Sequence, residues 1–556
     1  MTVLKNIILF LFKGVIGAFE LLLGFILVLL LYVIFASRIG PPAVTEIHIE
    51  KRKKISENHY VLGSNWIKKN KFGIWEMYIE GAPYERGLIY GELAKELIQK
   101  QEKIFVDQIE NFVPSSTWQQ LLRLMIGFYN RNLPNNIPFE NQKEIYGVSR
   151  AFSDDYDYIS SKYARILNYH AAHDIGHALN DYSMVGCTSF ALKDSMSDGG
   201  DLLVGRNFDF FVGDAFAEEK ILLFVKPDKG HAFVSYSWAG FTGVVSGLND
   251  KGLSVTINAS KSDLPSSSKT PISILAREIL QYAETLDEAI AIAEKRKTFV
   301  SETLLISSKK DHEAILIEKS PTKTGVYKSG TASLICSNHY QSETFINDKI
   351  NKDNILESDS KYRYNRVNEL LNQKFKFTPE DVTSILRDQL DSNNDTLGMG
   401  NPRAINQLIA HHSVVIQPER YMFYISTSDY QLGRFIGYNL SEIFQGKEIT
   451  HSAMIHEDPF IRSTAYASFK KFKTIKNKIS EFVNLNRNLE LSLNDVSSFI
   501  SSNSESYMTY EMLGRYYLKK RHLKKAKKFF KIALSKKVAS LSIENELLEL
   551  INECQK

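Results

Sequence analysis

The chain opens on an apolar run: residues 15–37 are almost continuously hydrophobic, and residues 21–37 carry no charge. In a helix rising 1.5 Å per residue, about 20 such residues span the hydrocarbon core of a bilayer. The run exceeds the roughly 7–15 apolar residues of a secretory signal. Phe35-Ala36-Ser37-Arg38 is also a poor cleavage site, so the pattern predicts an uncleaved, single-pass anchor helix. Lys5 and Lys13 before the run oppose Arg38 and Lys51-Arg52-Lys53-Lys54 after it, which leaves the side of the membrane open.

Gly40-Pro41-Pro42 ends that helix and begins a linker. From 74 to 180 the pattern is mainly helical, with apolar residues three and four apart in 84–100 and 156–179. At Cys187 the texture changes. Residues 187–192 alternate like a strand, 194–201 are turn-rich, and 202–208 form a second strand. Further strand pairs fall at 221–225 with 232–236 and at 243–248 with 253–258. Helical stretches follow at 271–282 and 286–297, the second with Thr285 as N-cap. Strands at 303–307, 314–318 and 333–337, helices at 363–371 and 379–390, and strands at 413–417 and 422–426 complete this region. Strand runs set apart from helix runs predict an α+β fold rather than an alternating parallel sheet. The chain thus divides into an anchor (1–40), a linker (41–73), a helical region (74–186), a β-rich region (187–445) and a helical tail (446–556).

In the tail, Tyr510, Leu513, Gly514, Tyr517, Ala526, Phe530 and Ala533 follow the 34-residue tetratricopeptide spacing, with Val538 where proline is usual. They predict one helical hairpin at 507–540 that resembles this family. Residues 519–537 are rich in lysine and contain no acid. They form either a solvated face or a contact for an anionic membrane surface or acidic protein partner.

Composition narrows the function. The 556 residues are 44% hydrophobic and 24% charged, which fits several globular units and excludes a disordered chain. The 68 basic and 64 acidic residues leave a net charge of only +4, which argues against a dedicated nucleic-acid binder. Three cysteines, Cys187, Cys336 and Cys554, exclude a disulfide framework and leave single-thiol chemistry.

Cys187 opens a strand directly after Gly186, and Gly205-Arg206-Asn207-Phe208-Asp209 returns on the next strand. A hairpin here folds an arginine and an aspartate back beside the thiol. A cationic neighbour favours thiolate, and an adjacent amine can take the thiol proton, so that one residue supplies nucleophile and base. The bland alternative is a buried strand cysteine beside a surface ion pair.

Four ordered motifs carry a resemblance. They are Glu80-Gly81-Ala82-Pro83-Tyr84-Glu85-Arg86-Gly87 with Gly91-Glu92-Leu93; Gly186-Cys187-Thr188-Ser189 with Arg206 and Asp209; Gly252-Leu253-Ser254-Val255-Thr256-Ile257-Asn258; and Ser337-Asn338-His339-Tyr340 with Ser360-Lys361-Tyr362-Arg363-Tyr364. Over residues 81–426 the chain resembles the N-terminal nucleophile hydrolases, nearest to the acyl-coenzyme A:6-aminopenicillanate acyltransferase family, with bile salt hydrolases as more distant relatives. The resemblance implies a four-layer αββα sandwich made as a precursor. It implies cleavage at Gly186-Cys187, a thioester on Cys187, and site roles for Arg206, Asp209, Asn258, Asn338 and Arg363. Asp209 would accept from the freed α-amino group, Asn258 and Asn338 would donate to an oxyanion, and Arg363 would hold Asn338 or a substrate polar group. No cofactor is implied. The expected substrate is an acylated small molecule or lipid-like N-acyl amine or acyl thioester, an acyl-coenzyme A among them.

Two other readings stay open on the sequence. One is a membrane-anchored scaffold with a vestigial catalytic fold and a partner-binding tail. The other is a metal site at His170, His173 and His177, which share one helix face; no glutamate stands where a metalloprotease needs its base.

Overall fold

Two large sheets face each other in the computed structural model, which describes residues 2–113, 115–179, 186–263, 267–451 and 453–555. The larger sheet has eleven strands, in the order Lys53–Ser56, His59–Leu62, Asn65–Lys69, Trp75–Gly81, Lys220–Pro227, Phe233–Trp238, Ser246–Asn249, Leu253–Ala259, Glu302–Ser308, Glu313–Lys319, Thr324–Tyr327. The smaller has seven: Ser333–Cys336, Thr188–Leu192, Leu203–Phe208, His412–Gln417, Met422–Ser426, Phe435–Asn439, Met454–Ile455. Trp75–Gly81 pairs in parallel with Lys220–Pro227, whereas the hairpin that carries Cys187 is antiparallel.

The alternation of strand side chains builds the layers. Ala191, Val204 and Val414 of the smaller sheet meet Leu222, Val234 and Leu305 of the larger in one interior core. Their neighbours Phe190, Leu203 and Val415 point the other way, onto Val367, Val382 and Leu386 of the helices Ser360–Leu371 and Pro379–Leu386. On the far face of the larger sheet, Met77, Ile221 and Ile257 pack with Ile89, Leu275 and Ile279 of the helices Pro83–Leu93 and Ile272–Tyr282. Helices therefore cover both outer faces, and the fold is the αββα sandwich the motifs imply. Thr285 caps its helix, Leu286–Lys295, in a full capping box with Glu288.

Two stretches depart from the pattern reading. Residues 53–69, read as linker, form three strands that extend the larger sheet. The outermost, Lys53–Ser56, is exposed throughout; charged, exposed side chains are how an edge strand avoids further pairing, and they hide its strand character in the sequence. The helical reading of 74–180 also begins with a strand, Trp75–Gly81. Its Trp75, Met77 and Ile79 alternate into the core.

The first motif is a helix crossing. A Cβ on Gly87 would stand 2.1 Å from the Glu144 carbonyl oxygen, and one on Gly147 would stand 2.6 Å from Tyr84 O. Bare glycines let Pro83–Leu93 and Phe139–Ser149 meet backbone to backbone. Buried Glu144 then receives Arg86 Nη2 at 2.5 Å and Arg277 Nη2 at 3.1 Å, tying three helices together.

The N-terminal helix is Thr2–Ala36, and Phe12–Ala36 is long and apolar enough to cross a membrane, with a mean hydropathy of 2.7. A signal sequence meets the same criteria. In the tail, Tyr507–Lys519 and Leu523–Leu534 form the expected hairpin, and a Cβ on Gly514 would stand 2.4 Å from the Phe530 ring. This helical core encloses Leu408 and Leu432 of the sandwich. Cys554 is buried in it.

Candidate active site

The hairpin register sets Thr188 opposite Asn207 and Ser189 opposite Arg206. One step beyond the paired strands, Gly186 N donates to Asp209 O at 3.2 Å. Cys187 is thereby held between Arg206 and Asp209. Arg206 Nη2 donates to Cys187 Sγ at 3.8 Å and to Ile257 O at 2.6 Å. Its Nη1 donates to Ser246 Oγ at 2.6 Å, and that hydroxyl contacts His412 Nε2 at 3.0 Å. The guanidinium also lies 4.1 Å over the Phe208 ring. Fully buried and held on several sides, it is a fixed cation beside the sulfur.

Arg363, from helix Ser360–Leu371, closes the other side. Its Nη1 donates to Cys187 O at 2.8 Å and to Thr188 Oγ1 at 3.2 Å. Its Nη2 donates to Asn338 Oδ1 at 2.8 Å and to Asp359 Oδ1 at 2.6 Å. Asn338 lies just beyond strand Ser333–Cys336 and gives one Nδ2 hydrogen to Ala259 O at 2.8 Å. Among the described residues, its second amide hydrogen has no further acceptor.

Asn258 is employed differently from the oxyanion role the resemblance implies. Its Nδ2 donates to Cys336 O and Ser337 O, both at 3.3 Å, and its Oδ1 accepts from Ser189 Oγ at 3.0 Å. It straps the Asn338 loop to the larger sheet, with both amide hydrogens spent.

Burial pushes the Cys187 thiol up to about 11, against the pull of Arg206. Burial likewise raises the Asp209 carboxyl to about 8, with Arg363 and Arg206 opposing. Asp209 Oδ2 accepts from Gln407 Nε2 at 3.3 Å. Its Oδ1 is buried without a hydrogen-bond partner. Cys336 is a buried strand residue whose thiol burial also raises, and its Sγ donates to Ser337 O at 3.6 Å.

Sequence reasoning missed three members of this network. Asp359 stands four residues before Arg363, an ion-pair spacing legible on a helix. Thr188 follows the thiol directly. Gln407 left no signal, since it comes from a loop far along the chain with no motif around it.

The histidine face reads differently in three dimensions. Thr242 N donates to His170 Nε2 at 3.0 Å, so Nδ1 carries the proton and donates to Ile166 O at 2.8 Å. Burial lowers this imidazole to about 4. With both nitrogens engaged it is no free ligand, and it stacks on Phe241 at 4.9 Å instead. The side chains of His173 and His177 lie outside the described residues. His170 lines an apolar pocket with Phe152, Phe210, Phe216, Trp238 and Phe241. Phe208, under the Arg206 guanidinium, stacks on Phe210 at 5.6 Å.

Residues 195–398 match the family model described as acyl-coenzyme A:6-aminopenicillanic acid acyl-transferase. The resemblance read from the motifs therefore holds over a stretch that includes Arg206, Asp209, Asn258, Asn338 and Arg363, and that begins after Cys187. Two curated relatives align with less than half of the chain. An uncharacterized protein of Archaeoglobus fulgidus is 29% identical over 255 residues, 43% of this chain and 42% of that protein. Protein dcd1A of Dictyostelium discoideum is 24% identical over 244 residues, 40% of this chain and 52% of its own. Among solved structures, a Caenorhabditis elegans N-acylethanolamine-hydrolyzing acid amidase ortholog is similar at 18% identity and a TM-score of 0.31, covering 42% of this chain and 93% of that one. A conjugated bile acid hydrolase from Clostridium perfringens follows at 13% identity and 0.30, covering 48% and 95%.

Proposed function

We propose that the chain is a self-cleaving cysteine amidohydrolase or acyltransferase, membrane-anchored through its first helix, that acts on N-acyl amines or acyl thioesters. Maturation splits the bond between Gly186 and Cys187 and frees the Cys187 α-amino group. In turnover that amine, with an ordinary pKa near 8, takes the thiol proton. Sγ attacks the substrate carbonyl, the second amide hydrogen of Asn338 meets the developing oxyanion, and the leaving group departs with a proton as the thioester forms. Water or an amine then releases the acyl group. Asp209 holds the α-ammonium, whose charge favours ionisation of the carboxyl.

The observation that carries this reading is the triple hold on Cys187: Arg206 Nη2 at 3.8 Å from Sγ, Arg363 Nη1 at 2.8 Å from its carbonyl oxygen, and an unpartnered Asp209 oxygen beside it. The first helix favours a substrate with an apolar acyl group, which a membrane concentrates. The C-terminal hairpin, like tetratricopeptide units in spacing, is the candidate partner-binding element. Purified wild type and Cys187→Ala, both checked for folding, are incubated with a fluorogenic N-palmitoyl amine. The wild type releases the amine and the variant does not; equal turnover by folded Cys187→Ala removes Cys187 as nucleophile. Cys187→Ser keeps little turnover, since an alcohol ionises far less than a thiol at neutral pH.

A further inference from the structure

We infer that Gln407 is the oxyanion donor for self-cleavage, acting on the Gly186 carbonyl, while Asn338 serves turnover. The inference rests on the self-cleavage proposed above. Gln407 Nε2 donates to Gly186 O at 2.7 Å and to Asp209 Oδ2 at 3.3 Å. Both partners are acceptors, which fixes which end of the amide faces them. The side chain is 3% exposed. A buried donor this close to a carbonyl oxygen is placed to stabilise negative charge as it develops there.

The two other amides and the guanidinium meet other carbonyls, and Asn338 keeps one hydrogen for turnover. Asn258 spends its hydrogens on Cys336 O and Ser337 O. Asn338 donates to Ala259 O. Arg363 holds the carbonyl of Cys187, one peptide beyond the bond to be cut.

The glycine before the thiol gains a reason from the same contact. A Cβ on Gly186 would stand 2.3 Å from Gln407 Nε2 and 3.0 Å from Cδ. The amide lies against the bare α-carbon, and any larger residue would push the donor off the carbonyl. The loop that delivers Gln407 is braced on both sides. Asn406 N donates to Asp388 O at 2.8 Å, and Leu408, at φ 52°, is buried in the core of the helical tail. The tail thus helps to position the donor.

The step balances. Sγ bonds to the Gly186 carbonyl carbon, and the carbonyl π pair moves onto the oxygen facing Nε2. When that pair returns, the carbon–nitrogen bond to Cys187 breaks. The nitrogen gains the proton that the thiol lost, leaving a Gly186 thioester on Sγ. Water adds to the thioester, restores the thiol, and leaves Gly186 as a carboxylate.

The test follows cleavage of the full-length chain by intact mass, with wild type, Cys187→Ala, Gln407→Leu and Gln407→Glu beside one another and melting midpoints measured for each. Wild type cleaves and Cys187→Ala does not. Gln407→Leu cleaves about 10²–10³-fold more slowly, the usual loss for one oxyanion donor. Gln407→Glu is slow at neutral pH, and its rate relative to wild type at the same pH rises as the pH falls and its carboxyl regains a hydrogen to donate. A bracing role alone gives no such profile. Folded Gln407→Leu cleaving at the wild-type rate overturns the assignment while leaving self-cleavage intact. Should Gln407→Leu fail to fold, a flat relative pH profile for Gln407→Glu overturns it. A wild type that never cleaves overturns both.

Discussion

Arg363 donates from Nη2 to Asn338 Oδ1 and from Nη1 to Cys187 O, both at 2.8 Å. One planar guanidinium therefore sets the distance between the thiol residue and the amide opposite it. It also fixes the amide's sense, because the oxygen is turned towards Arg363 and the nitrogen away. A donor held this way needs no reorganisation when charge develops.

Asn338→Ala is therefore expected to lower kcat of the mature enzyme about 10²–10³-fold, or roughly 3–4 kcal/mol, with KM changed much less. Arg363→Lys loses the fork, since a single ammonium cannot serve both oxygens, and produces a kcat loss without a matching loss in melting midpoint. Steady-state kinetics beside thermal melts check both. A kcat unchanged in Asn338→Ala removes Asn338 from the chemistry.

The Asp209 carboxyl makes the uncut chain sensitive to pH. Burial raises it to about 8 in the fold, above an unfolded value near 3.9. The fold favours the protonated form. This group's contribution to stability is full below pH about 4 and is lost as the pH rises through 8. In a Cys187→Ala background, which stays uncut, Asp209→Asn should melt with its parent near pH 4 and above it at pH 8. The gap is on the order of a few kcal/mol. A midpoint difference that does not widen with pH contradicts this.

Much of the site was legible because hairpin arithmetic is local. The alternation in 187–192 and 202–208 brings Arg206 and Asp209 back to Cys187 without knowledge of the rest of the fold, and the register bears this out. Asn338 and Arg363 came from ordered motifs instead. The strap made by Asn258 was not legible, because where an amide spends its hydrogens is decided only in the packed structure. Gln407 was invisible for a related reason: its loop is positioned by contacts with the helical tail, and Leu408 beside it reads as any apolar loop residue. In the fold, the edge strand Lys53–Ser56 was missed because it is charged and exposed throughout and lacks the alternation that buried strands carry.

Gly87 tests whether the first motif is packing rather than chemistry. Gly87→Ala forces a methyl to within 2.1 Å of Glu144 O, so the helices must part. A loss of about 1–3 kcal/mol is expected from such overpacking. It should appear as a lower melting midpoint, while kcat of the fraction that folds stays near wild type. An unchanged midpoint shows that the crossing yields without cost.

The first helix should hold the uncut chain in membranes through an alkaline carbonate wash. Recovery in the soluble fraction, or a new N-terminus near Arg38, identifies residues 15–37 as a removed signal.

The central claim is that Cys187 becomes an N-terminal residue. Intact-mass analysis with N-terminal sequencing, on active protein incubated at neutral pH, tests it most directly. The account predicts two associated fragments, one ending at Gly186 and one beginning at Cys187. A single uncut chain that turns over N-acyl substrate would contradict it.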